Sequence, residues 1–340
     1  MGLSILQRKK KMKTSDIHYM NLLSPLKILL SCVAFLMFQF SYTQEKLFLQ
    51  PDHLSAEEFI VLKTGKLKAT IVTNRAYGDR HRAGYNGVSE LYHPAQDSTP
   101  FVPEYAGLNL EHIFSNIIPE DIFEPRKHSM QLVMLGKDEV ALYQKPTPQS
   151  HTESLTLFKL VAPHYIDMTF RFVVHDTDYF EQGFAGIFWA SYINTPSDRK
   201  VYFKGFEKDE KKAKWIAAYS EKHGEKSTHK SVEDDHEFEF EDQYRMSLVN
   251  HFSDYRYEKP YYYGRFHNMV LAYLFEGSDL VRLSQSPTGG GEFNPAWDFQ
   301  YIVPEVEAGK VYEVRVRFIY KPFVGAEDIE KEYEKWTKGN

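Results

Sequence analysis

The chain has 340 residues, with 41 Lys and Arg against 47 Asp and Glu for a formal net charge of −6. That acidic balance lacks the basic footprint that nucleic-acid binding requires. A single cysteine, Cys32, excludes an internal disulfide framework.

The first 44 residues read as a signal peptide. Arg8, Lys9, Lys10, Lys11 and Lys13 form a basic head, Ile28 to Phe40 form a greasy run of 13 residues, and Ser41-Tyr42-Thr43-Gln44 is polar. A bilayer core needs about 20 apolar residues, so no membrane span is expected. Export to the periplasm or the medium follows, with cleavage near Gln44; a start at Met20 would leave a leader of ordinary length. Lipid anchoring through Cys32 is disfavoured, because eight mostly apolar residues follow it. Cleavage would remove six of the 41 cations and one of the 47 acids, leaving 35 against 46 and a balance of −11. Residues 45–340 are expected to form a single β-sandwich catalytic domain.

Strand signals dominate that domain. In chain order they fall at 66–73, 131–135, 140–144, 154–160, 166–174, 184–190, 201–206, 269–275, 280–284, 299–303 and 312–320. Ile166, Met168, Phe170 and Phe172 alternate with Asp167, Thr169 and Arg171, the period of a half-buried strand. Residues 184–190 and 269–275 are apolar on both faces, as central strands are. Residues 207–243 are dense in charge and read as a solvated surface excursion. Near the C-terminus Ile329, Tyr333 and Trp336 recur at helical spacing, and Glu327 can pair with Lys331. The fold class is therefore mainly β: a large antiparallel β-sandwich of supersandwich or jelly-roll type with a short C-terminal helix.

Several chemistries are missing. Gly289-Gly290-Gly291 lacks the lysine and helix of a phosphate loop, and neither a nucleophile elbow nor a zinc-binding H-E-x-x-H occurs. His164, His175 and His223 are scattered without metal-ligand spacing, so no metal or other cofactor is expected.

Polar residues concentrate in three stretches. The loop 74–87 holds Arg75, Arg80, His81, Arg82, Tyr77 and Tyr85, and arginine forks suit carboxylate or sulfate oxygens. Residues 101–114 are irregular in pattern and offer Glu104, Asn109 and His112. In 260–268, Tyr261, Tyr263, Arg265 and His267 share one face if the segment is extended. Trp189, Tyr192 and Trp297 lie at strand ends, where rings can stack on sugars or pack in the core.

The segments N-R-A-Y-G-D-R-H-R-A-G-Y-N-G, F-V-P-E-Y-A-G-L-N-L-E-H-I-F, G-I-F-W-A-S-Y-I-N, Y-Y-Y-G-R-F-H-N-M-V and S-P-T-G-G-G-E-F-N-P-A-W-D-F-Q resemble a group of secreted bacterial proteins that accompany polysaccharide-degradation systems. Within that group the chain is similar to the ulvan oligosaccharide dehydratases of marine Bacteroidetes, over most of residues 65–320. The resemblance implies loss of water across C4 and C5 of a non-reducing-end uronate, on an acidic oligosaccharide. Such an elimination needs a neutralised carboxylate, a base for the C5 proton and an acid for the leaving oxygen.

Carboxylate neutralisation is expected from Arg80 or Arg265, and proton transfer from Tyr263, His81 and His267. Arg75, Arg82, Tyr85, Glu104, Asn109, His112, Trp189, Tyr192 and Trp297 are expected to bind the substrate. A polysaccharide lyase would use the same chemistry but cut the chain. A mutarotase or hydrolase, or a glycan-binding module without catalysis, are the other readings. The oligomeric state is not legible in the sequence.

Overall fold

The computed structural model describes residues 57–277 and 280–339. The expected signal peptide and Cys32 lie outside them.

Alternation in sequence becomes alternation in space. In β8 (Tyr165–Val174), Ile166, Met168, Phe170 and Phe172 are fully buried in the main core. β18 (Val311–Pro322) pairs antiparallel with β8 from Val311↔Val173 to Ile319↔Tyr165. The outward residues of the pair zip together by charge. Arg317 donates two hydrogen bonds of 2.7 Å to Asp167, and Arg171 donates to Glu313 at 2.5 Å.

Two sheets form. The smaller joins β1 (Phe59–Thr64), β2 (Leu67–Val72) and β3 (Gly87–Tyr92). The larger has fifteen strands. It runs from β4 (Asn109–Phe114) through β9 (Ala185–Ala190), β17 (Ala296–Val303), β16 (Val281–Ser286), β12 (Thr228–Ser231), β13 (Phe252–Tyr257), β10 (Val201–Glu207), β14 (Tyr261–Phe266) and β15 (Met269–Phe275) to β18 and β8. It ends in β7 (Thr152–Val161), β6 (Glu139–Gln144) and β5 (Met130–Gly136), and β11 (Lys214–Ala218) pairs with β10. Pairing is antiparallel except between β12 and β13, a departure from the purely antiparallel expectation.

This long sheet folds back on itself, so its two halves become the layers of a sandwich. Phe170 of β8 meets Trp189 of β9 edge to face at 4.8 Å, and Phe275 of β15 meets Phe299 of β17 at 5.0 Å. The layers approach tightly at Gly264 of β14, where a Cβ would stand 2.3 Å from the Trp297 ring. Each such ring contributes about 2–3 kcal/mol by leaving water. Trp189 and Trp297 are therefore core residues, 0 % exposed. Their expected role in sugar binding is corrected, since neither ring has a face to offer.

The outer faces are covered differently. On the half containing β14, β15, β18 and β8, helix α3 (Ala326–Lys338) buries Ile329 and Trp336 against Tyr165, Tyr261 and Tyr263. On the half containing β4, β9, β17 and β16, the cover comes from loops, a short helix α1 (Glu124–Lys127) and a turn of helix α2 (Ser247–Asn250).

Residues 207–243 are not a solvated excursion throughout. β11 and β12 fall inside them, and Lys230 and Asp234 are buried with Arg282. Arg282 Nε donates to Asp234 at 2.8 Å, and Lys230 Nζ donates to the His236 carbonyl at 2.6 Å. Burial pushes the Asp234 carboxyl up, but Arg282 and Lys230 outweigh it and hold the group below its usual range. The charges are tolerated inside because each finds a counter-charge or a carbonyl.

Candidate active site

A β-bulge builds the site. Along β4 the register with β9 shifts between Leu110 and His112, so that Leu110 faces Trp189 and His112 faces Phe188. Leu110 and Ile113, three residues apart, both enter the core. The extra residue lets Glu111 and His112 project together from the opposite face, which a regular strand forbids.

Glu111 is the hub. Its Oε2 accepts from the Tyr192 hydroxyl at 2.6 Å and from Asn109 Nδ2 at 3.1 Å. Its Oε1 lies 3.4 Å from His112 Nε2 and 3.7 Å from an Arg126 guanidinium nitrogen. Asn86 ties the preceding loop to β4: its Nδ2 donates to Asn109 Oδ1 at 3.0 Å, and its Oδ1 accepts from the Leu110 amide at 3.0 Å.

Arg126 reaches in from α1. Its guanidinium lies 3.7 Å from the centre of the Tyr85 ring and 4.5 Å from that of Phe123, and its Nε donates to the Gly84 carbonyl at 2.9 Å. His112 Nδ1 faces the Ile122 carbonyl in a short hydrogen bond. The His112 ring packs against Phe123 at 4.9 Å and Phe188 at 5.2 Å. Tyr85, Tyr105 and Tyr192 form a ring cluster with centroid separations of 4.9, 5.7 and 5.4 Å. At the rim Arg82 lies 5.6 Å above Tyr105 and donates to its hydroxyl at 3.1 Å.

Electrostatics sort these groups by protonation state. Burial pushes the Glu111 carboxyl up, yet His112, Arg126 and Tyr192 together bring it below its usual range, so it is ionised at neutral pH. Burial and then the Glu111 charge raise the Tyr192 phenol well above 10, so it keeps its proton. Asp298, on the same face in β17, is raised well above the carboxylate range by burial and then by Glu111; its Oδ1 accepts from the Ser191 amide at 3.2 Å. His223 is lowered by burial, and the charges of Glu111 and His112 both bear on it. Its Nδ1 pairs with the Ser286 hydroxyl at 2.9 Å.

Of the residues expected from sequence, Tyr85, Asn109, His112 and Tyr192 come together here, with Arg82 at the rim. Arg75 and Glu104 are exposed on the loops beside it. The remaining five, His81, Arg80, Tyr263, Arg265 and His267, do not assemble into one pocket, and that expectation is corrected. His81 is a brace: its two ring nitrogens face the carbonyls of Pro103 at 2.8 Å and Tyr85 at 2.9 Å. Arg80, 67 % exposed at its side chain, pairs with Glu90 at 3.1 Å. Tyr263 stacks on Tyr202 at 5.1 Å and contacts Phe323 at 5.8 Å beneath α3. Arg265 lies over Phe323 at 4.5 Å, and His267 is exposed in the turn after β14 with φ 54°. Tyr263 and Arg265 share a face, as extended residues must, but it is the outer face of the other half-sheet.

Glu111, Arg126, His223 and Asp298 were not among the expected site residues. A signal for the first existed: Asn109, Glu111 and His112 crowd polar groups into a strand whose alternation breaks between Leu110 and Ile113. For Arg126, His223 and Asp298 nothing local gave warning.

No family model and no curated protein matches the sequence. Solved structures resemble it distantly. A heparan sulfate lyase from Pedobacter heparinus superposes with a TM-score of 0.43 at 11% identity, over 80% of this chain and 36% of the lyase. A protein of Escherichia coli described provisionally as an aldose 1-epimerase gives a TM-score of 0.43 at 9% identity, over 78% of this chain and 99% of its own. A 4-alpha-glucanotransferase from Thermococcus litoralis gives 0.40 at 10% identity, over 79% of this chain and 40% of that one. The chain thus spans little more than a third of the lyase's length, and likeness at this level says nothing about activity.

Proposed function

We propose that this protein is a carbon–oxygen lyase acting on uronate-containing oligosaccharides of the ulvan type. In this reading it removes water across C4 and C5 of the non-reducing-end uronate and leaves a 4,5-unsaturated sugar. The observation that carries the reading is the Glu111 hub, which holds a guanidinium, an imidazole and a phenol around one ionised carboxylate beside two further tyrosines.

Each requirement of the elimination has a candidate. Arg126, 14 % exposed at its side chain, keeps guanidinium N–H groups beyond its bond to Gly84. It would hold the substrate carboxylate as negative charge builds beside C5. His223 is the proposed base: its Nδ1 is occupied by Ser286, its charged form is disfavoured, and Nε2 remains to take the C5 proton. Tyr105 is the proposed acid. The hydrogen bond from Arg82 stabilises the phenolate left when the proton passes to the departing hydroxyl. His223 thus gains one proton, Tyr105 loses one, and water departs. Glu111, His112 and Tyr192 position these groups.

Mass spectrometry of ulvan-type oligosaccharides before and after incubation tests the reading. Loss of one water without new reducing ends supports the dehydratase. New reducing ends with an unsaturated terminus would identify a chain-cutting lyase instead. Unchanged oligosaccharides that nonetheless bind would identify a glycan-binding protein.

A further inference from the structure

The segment after β16 is a glycine-rich loop, Thr288-Gly289-Gly290-Gly291, that ends in Phe293 and Asn294. It sits directly against Tyr192: a Cβ at Gly290 would lie 3.3 Å from the Tyr192 Cβ, and one at Gly289 would clash with Ala296 at 2.5 Å. Gly291 has φ 118°, a backbone conformation that side chains disfavour.

The loop is braced. Asn294 donates through Nδ2 to the Gly290 carbonyl at 3.1 Å, and its own carbonyl accepts from the Gly290 amide at 2.8 Å. Its Oδ1 accepts from the Thr195 amide at 2.9 Å and hydroxyl at 3.2 Å. The brace holds the Phe293 ring out in water, where it is 57% exposed. A ring held out by a braced turn is already ordered for contact, so a ligand stacking on it would incur little further ordering cost. Above this ring, at 5.8 Å, stands the guanidinium of Arg199, whose carbonyl accepts from Trp297 Nε1 at 3.3 Å.

Resting on the oligosaccharide reading above, we propose that Phe293 and Arg199 form an outer subsite for a sugar further along the acidic chain. The C–H face of that sugar stacks on the Phe293 ring, and its carboxylate or sulfate pairs with Arg199. The pairing suits an anionic glycan in particular, because a neutral sugar would use the ring and leave the guanidinium idle.

Calorimetric binding and initial rates with a uronate disaccharide and a sulfated tetrasaccharide, on the full chain, test this. F293A is expected to raise the tetrasaccharide Kd and KM about tenfold with kcat and disaccharide kinetics unchanged, and F293W to restore them. R199A is expected to remove the preference for the sulfated over the desulfated tetrasaccharide. Wild-type affinity of F293A for both lengths overturns the subsite. A wild-type protein that binds the tetrasaccharide, weakens about tenfold in F293A, yet forms no unsaturated sugar keeps the subsite and sinks the lyase reading.

Discussion

The two outer faces of the folded sheet are built from similar residues and do opposite things. The face under α3 carries Tyr261, Tyr263 and Arg265; the face around β4 carries Tyr85, Tyr192 and Arg126. Beneath α3 the phenol of Tyr261 and the Nε of Arg265 are buried without a hydrogen-bond partner among the described residues. Burial, ahead of any neighbouring charge, pushes Tyr263 up to about 12. Around β4 the same residue types converge on one carboxylate at 2.6 to 3.7 Å. Composition therefore does not separate packing from chemistry. For these tyrosines and arginines, what separates the two is whether the polar atoms end on a shared charge or, like Tyr261 and Arg265, in an apolar lining.

Breaking the hub should have the largest consequence. Glu111→Ala strands a guanidinium, an imidazole and a phenol, and is expected to cost about 3–5 kcal/mol of stability together with at least about a hundredfold in kcat. Denaturant titration and steady-state rates measure both, and Glu111→Gln should recover part of the stability but little of the rate. On the other face Trp336→Ala is expected to cost about 3 kcal/mol while kcat stays at the wild-type level. A large loss of rate there would merge two regions that are separate in this structure.

His223→Ala isolates chemistry from stability. It should lower kcat about a hundredfold and cost no more than about 1 kcal/mol of stability, since the side chain is partly exposed and gives up one hydrogen bond, to Ser286. A wild-type rate would remove it as the base.

Acid titration compares the faces by sign. Under α3, His164, 3.7 Å from the carboxylate, and then the contacts with Lys321 and Tyr165 outweigh burial and hold Glu332 at about 2. Its folded pKa is depressed, so its stabilisation is complete above the ordinary value of 4.5 and fades as pH falls from there through about 2. Glu111 has the same sign. Asp298 has the opposite one: its raised pKa gives stability below the ordinary 3.8 that is lost as pH climbs through the folded value. Stability curves of Glu332→Gln should flatten on the acid limb, and Asp298→Asn should be the more stable protein at neutral pH. The reverse order in either case contradicts these assignments.

The smallest effect is expected from Tyr263→Phe. Its hydroxyl meets no site residue, so turnover should match wild type and stability should shift by no more than about 1 kcal/mol.

Strands were legible wherever side chains alternate or stay apolar over several residues, as in β8, β15 and β18, because burial on one or both faces leaves its mark on each residue in turn. The C-terminal helix was legible from the spacing of Ile329 and Trp336. Trp189 and Trp297 were misjudged, since a tryptophan at a strand end looks the same in sequence whether it meets a sugar or, as here, the opposing layer. The charged stretch 207–243 was misjudged too: Lys230 and Asp234 are buried only because Arg282, some fifty residues on, arrives opposite them.

From its own order of residues this protein could declare a β-rich fold, its strand faces and an acidic surface, because those depend on neighbours two to four positions away. The meeting of Glu111 with Arg126 and Tyr192, within electrostatic reach of His223, had to wait for the sheet to fold over. A bulge moved one side chain across the strand, and segments more than a hundred residues apart closed around it. The bulge leaves a local trace in the broken alternation between Leu110 and Ile113, but no local pattern encodes the closure, which is set by which surfaces the two half-sheets leave uncovered.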